Sequence, residues 1–199
     1  MKRILVIAVG LLCGACSTLP TSTEWLARAD GYLKDGKQQK AIAAYNRAIA
    51  LNPNNLEAYS SRGAAHFFAG DFALAEADFK YVLTKNPHHA DVYTALGSAF
   101  AAQGDYGSAL NMFNQAIALK PSRPENFVSR AGAYFMQGRY KEALEDYSAV
   151  LKYYPAADVF QARGMVYFQM GNETLAQQDF KAAKNPSIPA KLEVYSQMK

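Results

Sequence analysis

At 199 residues, half of them hydrophobic and 19% charged, the chain has the composition of an ordinary globular protein with room for one large core or two small ones. Disordered and fibrous classes are excluded. Leaving Lys2 and Arg3 aside, 19 of the 21 basic residues stand against 17 acidic ones, a balance that gives nucleic-acid phosphates nothing to hold.

The chain opens on a basic Met1-Lys2-Arg3, continues with an apolar run from Ile4 to Leu12, and reaches Gly14-Ala15 just before Cys16. This is the layout of an export signal over residues 1–15. A membrane-spanning helix needs roughly 18 or more apolar residues, and this run ends too soon. The stretch Leu12-Cys13-Gly14-Ala15-Cys16 resembles a bacterial lipobox. The resemblance implies that Cys16 becomes the N-terminus and carries lipid; the alternative is an ordinary cleaved leader that leaves Cys16 free. Ser17 in the next place, where Asp would retain a lipoprotein, implies by the same resemblance the outer membrane, facing the periplasm. Cys13 and Cys16 are the only cysteines, so one goes with the signal and the other with the lipid, and no disulfide or cysteine metal site remains. Residues 16–21 then form a linker, and its last five residues reach at most about 18 Å.

From Ser22 onward one pattern repeats. Pro53, Pro87, Pro121 and Pro155 are evenly spaced, and Gly36, Gly70, Gly104, Gly138 and Gly171 keep the same phase. So do two aromatic registers, Trp25, Tyr59, Tyr93, Phe127, Phe160 and Tyr45, Phe79, Phe113, Tyr147, Phe180. Each Gly sits where a first helix must end in a left-handed residue and reverse. Each Pro ends a second helix, because the residue before proline is pushed out of the helical region. Small residues at Ala29, Gly63, Gly97, Ala131 and Gly164 let the two helices approach while the aromatics fill the space around them. The predicted helices are 22–35 and 38–51, 56–69 and 72–85, 90–103 and 106–119, 124–137 and 140–153, and 157–170 and 173–184. After Asn185-Pro186 the segment 187–199 reads as an amphipathic helix, with Leu192 and Tyr195 on one face, that caps the stack.

Trp25, Ala29, Tyr32, Ala41, Tyr45, Ala48 and Pro53 resemble a complete tetratricopeptide repeat, and four further copies follow. The resemblance implies an all-α, right-handed superhelical solenoid of five hairpins (22–55, 56–89, 90–123, 124–156 and 157–186) plus the C-terminal capping helix. It also implies that the chain holds proteins rather than catalyses a reaction. Small lipoproteins of this family act as assembly factors for pili and secretion pores and as scaffolds for cell-wall enzymes.

Arg62, Arg130 and Arg163 share one repeat position, and Asp78, Asp146 and Asp179 each follow sixteen residues later. The third repeat has Leu96 and Met112 in these two places. Because the two positions change together, they are expected to form ion pairs across the hairpin. Arg28 faces Ala44 and stays open. Glu57, Asp91, Glu125 and Asp158 begin the first helices, where acids offset the helix dipole. His66 occupies a core position, His88-His89 a turn, and neither suits a metal. No nucleophile–base pair and no phosphate loop is present, since every recurring Gly is explained by the repeat. Neither a cofactor nor a small-molecule substrate is expected.

The reading is a lipid-anchored adaptor whose partner is a peptide or helix of an envelope protein; the alternative is a structural lipoprotein that assembles with copies of itself. In the family, groove contacts come from the second, fifth, ninth, twelfth and thirteenth positions of the first helices. Carried onto this chain the groove comprises Leu26, Leu33, Phe67, Phe68, Phe135, Met136, Met165 and Phe168, with the small Thr94, Ser98, Ala101 and Ala102 in the third repeat. Large residues on either side of small ones predict a hollow there. The family's carboxylate-gripping version needs Lys and Asn at these places, and none stands there in the second to fifth repeats.

Overall fold

The structure is a computed structural model that describes residues 19–184; the leader with Cys16 and the segment 187–199 lie outside the described residues. These form ten helices: α1 Ser22–Lys34, α2 Gln38–Leu51, α3 Leu56–Ala69, α4 Phe72–Lys85, α5 Ala90–Ala102, α6 Tyr106–Leu119, α7 Pro124–Met136, α8 Tyr140–Tyr153, α9 Ala157–Gln169 and α10 Glu173–Lys184. Four first helices stop one residue earlier than expected, at Lys34, Ala102, Met136 and Gln169. The next residue in each case, Asp35, Gln103, Gln137 or Met170, serves as the C-cap. The glycine that follows takes the left-handed conformation that a side chain resists; Gly104, for example, has φ 82°.

Local signals start the helices. Thr21 and Glu24 form a reciprocal capping box at α1, with Glu24 N donating to Thr21 Oγ1 at 3.2 Å and Thr21 N to Glu24 Oε2 at 2.7 Å. Asn55 caps α3, and Pro124 opens α7, where its missing N–H costs nothing.

Consecutive helices pack as antiparallel hairpins, and each second helix also packs on the next first helix. First helices touch one another directly in the pairs α3·α5, α5·α7 and α7·α9, so they form the inner layer of the solenoid. Within hairpins the fit depends on the small residues. A Cβ on Gly97 would come within 2.7 Å of the Phe113 ring, one on Gly63 within 2.8 Å of Phe79, and one on Gly164 within 2.7 Å of Phe180. Where the small residue is Ala29 or Ala131, the aromatic is Tyr45 or Tyr147 instead. Within the second repeat Tyr81 stacks on Tyr59 at 4.2 Å, and its hydroxyl donates across to the Pro53 carbonyl of the first repeat at 3.0 Å. No described helix is long and apolar enough to cross a membrane.

Candidate partner-binding groove

The second, fifth, ninth, twelfth and thirteenth residues of a first helix fall on one face of it, because steps of three and four return the chain to the same side. On α5 these residues are Asp91, Thr94, Ser98, Ala101 and Ala102, and on α7 they are Glu125, Val128, Gly132, Phe135 and Met136. In the same registers Phe68, Met136, Met165 and Phe168 are exposed, at 79%, 57%, 41% and 54%. Leu33 is exposed and Phe67 and Phe135 are half-buried.

A hollow of about 410 Å³ opens between α5 and α7. Ser98 and Ala101 form one side, Ser129, Gly132, Ala133, Phe135 and Met136 the other, and the rings of Tyr106 and Phe113 the floor. Its origin is one substitution. In the second repeat the Phe67 ring packs 5.5 Å from Phe72, and in the fourth the Phe135 ring packs 5.7 Å from Tyr140, each covering the first aromatic of the following helix. Ala101 holds that place in the third repeat and leaves Tyr106 open to the groove.

Two groove assignments change. Leu26 is only 8% exposed and belongs to the core of the first hairpin with Ala29 and Tyr45, because α1 turns this position toward α2 and α3. It offers no surface to a partner. Thr94 lies in the groove register, but its hydroxyl is engaged: Oγ1 is 2.8 Å from Asn126 Oδ1 and 3.2 Å from the Ala90 carbonyl. Asn126 is 2% exposed, in a register filled elsewhere by Ala58, Val92 and Val159, and its Nδ2 has no partner. Turning the amide over only exchanges the orphaned nitrogen for an orphaned oxygen.

Behind the groove, the arginine–aspartate registers hold the layers together. Arg62 grips Asp78 with two bonds, Nε to Oδ2 at 2.8 Å and Nη2 to Oδ1 at 2.6 Å. Arg130 holds Asp146 at 2.8 and 2.7 Å, and Arg163 holds Asp179 at 2.8 and 2.8 Å. Each aspartate is buried, and the hydrogen bonds it accepts from the guanidinium raise each arginine's pKa above its ordinary value. The third nitrogen reaches the preceding repeat: Arg62 Nη1 donates to Asn46 at 2.6 Å, Arg130 Nη1 to Asn114 at 2.8 Å, and Arg163 Nη1 to Ser148 at 3.1 Å. One guanidinium therefore ties three helices, a fork geometry that lysine could not supply. Sequence reasoning missed Asn46, Asn114 and Ser148, whose register changes from repeat to repeat and holds Lys80 where Leu96 and Met112 replace the pair. Arg28 has no such aspartate and instead lies over the Trp25 ring, 5.0 Å from its centroid.

The remaining titratable groups serve the core. Tyr45 donates to Asp30 at 2.7 Å, and burial first, then this bond, push its hydroxyl well above the ordinary tyrosine range. Burial, followed by the nearby Asp146, pushes Tyr147 up to about 12. His66 packs inside the second repeat with Nδ1 3.5 Å from Asp71 Oδ2, beyond hydrogen-bonding geometry. Among the described residues no three His, Cys, Asp or Glu side chains converge as a metal site.

A repeated two-helix unit with an inner helix layer and an open groove defines a protein–protein interaction scaffold of the tetratricopeptide class. The chain belongs to the tetratricopeptide repeat family: a TPR repeat model matches residues 29–70, and a tetratricopeptide repeat model matches 62–124, 94–158 and 128–189. No curated protein matches in sequence. Among solved structures the chain is similar to MamA, with 25% identity over 78% of this chain and 92% of that one and a TM-score of 0.71. It is also similar to a tetratricopeptide repeat protein from Parabacteroides merdae, with 26% identity over 89% of this chain and 69% of that one and a TM-score of 0.67. Its fold is shared by TTC0263, a thermophilic TPR protein of Thermus thermophilus, at 19% identity over 89% and 96% of the two chains with a TM-score of 0.69. Scaffolds of this family are generally not enzymes.

Proposed function

We propose that the chain is a lipid-anchored adaptor of the bacterial cell envelope that holds a helix or peptide of another envelope protein in its concave groove. The observation that carries this reading is the hollow between α5 and α7, in the middle of an exposed apolar face. Exposed Phe and Met beside an open cavity lose contact with water only when something covers them, and a cavity of this size accepts a large apolar side chain. The anchor at Cys16, and delivery to the outer membrane, rest on the leader's resemblance to a lipobox.

Phe135 stacks on Tyr140 and contributes to the core, so removing it would confuse binding with folding. Filling the hollow avoids this. Ala101→Phe places in the third repeat a ring that the second and fourth already carry in the same register, so the stack should fold and melt as before. The intact anchored chain should recover a defined partner from solubilised membranes, and Ala101→Phe should lose it while Ala43→Phe, at an exposed site on α2, retains it. Capture that persists in Ala101→Phe would show that binding runs elsewhere.

A further inference from the structure

We infer that the occupant of the groove is an amphipathic helix with lysine or arginine along one flank and a bulky apolar side chain at its middle; this rests on the groove reading above and names the chemistry of its ligand. On each of α3, α5, α7 and α9 the groove face begins with an exposed acid, Glu57, Asp91, Glu125 or Asp158, and continues at its other four positions with uncharged residues only. No lysine or arginine stands at any of these places. A helix dipole favours acids in the first turn, but it is indifferent to the side of the helix they occupy; here all four lie on the side of the groove. An anionic ligand would meet this rim with no cation on the groove faces of α3, α5, α7 and α9 to receive it; the one groove-register lysine, Lys34, lies outside this stretch at the end of α1.

The rim is not uniform. Asp91 is already paired with Lys120 and Arg123, and Arg123 also lies 3.7 Å from Glu125. Glu57 and Asp158 have no ion pair among the described residues. Unmatched negative charge therefore sits at the second and fifth repeats, with the hollow between them. Adjacent first helices in direct contact lie about 10 Å apart, so these two acids are separated by roughly 30 Å along the groove, the length of a helix of about 20 residues.

The bed selects a helix over an extended strand. Its hydroxyls bond to carbonyls of their own helices: Ser60 to Leu56 at 3.0 Å, Thr94 to Ala90 at 3.2 Å and Ser98 to Thr94 at 3.0 Å. An extended segment would lay unpaired backbone groups on this surface, whereas a helix satisfies its own. The exposed Met136, which adapts to irregular apolar shapes, lines the hollow where the central side chain would enter, and Met165 is exposed on the next first helix, α9.

The test uses two synthetic amphipathic helices of about 20 residues with the same apolar face and a central tryptophan, one with lysines and one with glutamates on its flank. Binding to the full chain is followed by tryptophan fluorescence and calorimetry. The lysine peptide should bind about tenfold more tightly, the effect expected of two exposed ion pairs, and added salt should reduce that difference. Glu57→Lys with Asp158→Lys should reverse the order, and Ala101→Phe should weaken both peptides. Equal binding of the two, or an order that the double reversal does not change, overturns the inference while loss of binding in Ala101→Phe still supports the groove. Binding that Ala101→Phe leaves intact overturns both. Binding that appears only after removal of residues 185–199 assigns the groove to the chain's own C-terminal segment, and self-association lost in Ala101→Phe assigns it to a second copy; either overturns the inference, as does failure of both peptides to bind.

Discussion

Arg130 illustrates what a single residue contributes in this stack, because its partners lie on α8 and α6 while its own backbone belongs to α7. Removing one member of a buried charge pair leaves the other without solvent or partner. Arg130→Leu should therefore destabilise by about 2–3 kcal/mol, and Arg130→Leu with Asp146→Met, which copies the third repeat, should recover much of the loss in a denaturant double-mutant cycle. Simple additivity would mean that the pair is not coupled. Adding Asn114→Lys completes the copy of the third repeat and should recover more. The Asp partner was legible because Leu96 and Met112 change together; the Asn was not, because its register varies among Asn46, Lys80, Asn114 and Ser148 and no helical spacing singles it out. Asn126 makes the opposite case. Either orientation of its buried amide leaves one polar atom unpaired, and Thr94 keeps the Ala90 carbonyl without it. Asn126→Val, copying Val92 and Val159, should raise stability by about 1 kcal/mol in equilibrium unfolding; a loss would show that the amide has a partner worth keeping.

Helices in this protein are set by their small residues as much as by their large ones. Alanine is favoured over glycine in a helix interior by about 1 kcal/mol, so Gly→Ala should stabilise wherever there is room. At Gly132 there is room, since the nearest atom to an added Cβ is the Tyr147 hydroxyl at 3.8 Å. Gly132→Ala should gain about 0.5–1 kcal/mol. At Gly97 the buried Phe113 ring lies 2.7 Å from that position and cannot move without displacing α6. Overpacking of this kind costs about 1–3 kcal/mol, which exceeds the propensity gain, so Gly97→Ala should lower the midpoint of thermal unfolding. If both glycines respond alike, the close approach of α5 and α6 is not what selects glycine. The hairpin glycines were readable from spacing alone, and so was the register that separates Gly97, aligned with Ala29, Gly63, Ala131 and Gly164, from Gly132; how closely the facing ring approaches was not, because that depends on the packing of α5 on α6.

At the scale of the whole molecule each repeat touches only its neighbours, so the array behaves as a one-dimensional stack whose ends meet different surroundings. The proposed anchor places the first repeat within a few residues of the bilayer. One acyl chain holds a protein only marginally and reversibly, while two or more hold it stably. Cys16→Ser should move the chain from the membrane to the soluble fraction, and the mature wild-type mass should exceed that of the unmodified chain. A wild-type mass equal to the bare polypeptide would remove the anchor from the proposal.

The residue registers by themselves determined the ten described helices to within a residue at their ends, the turns at each glycine and the arginine–aspartate pairing, because all of these follow from local conformational preference and a fixed repeat length. The place of the hollow also followed from them, since small residues flanked by large ones in one register leave a gap in any regular stack. Only the tertiary structure decided which groove residues are available. Leu26 and Phe67 share the groove's periodicity with Phe68 and Met136, but α1 turns Leu26 into the first core and Phe72 receives the Phe67 ring. Periodicity specifies the face of a helix on which a side chain lies; its exposure depends on how far the neighbouring helix leans over that face, and that is set by the packing of side chains from different repeats.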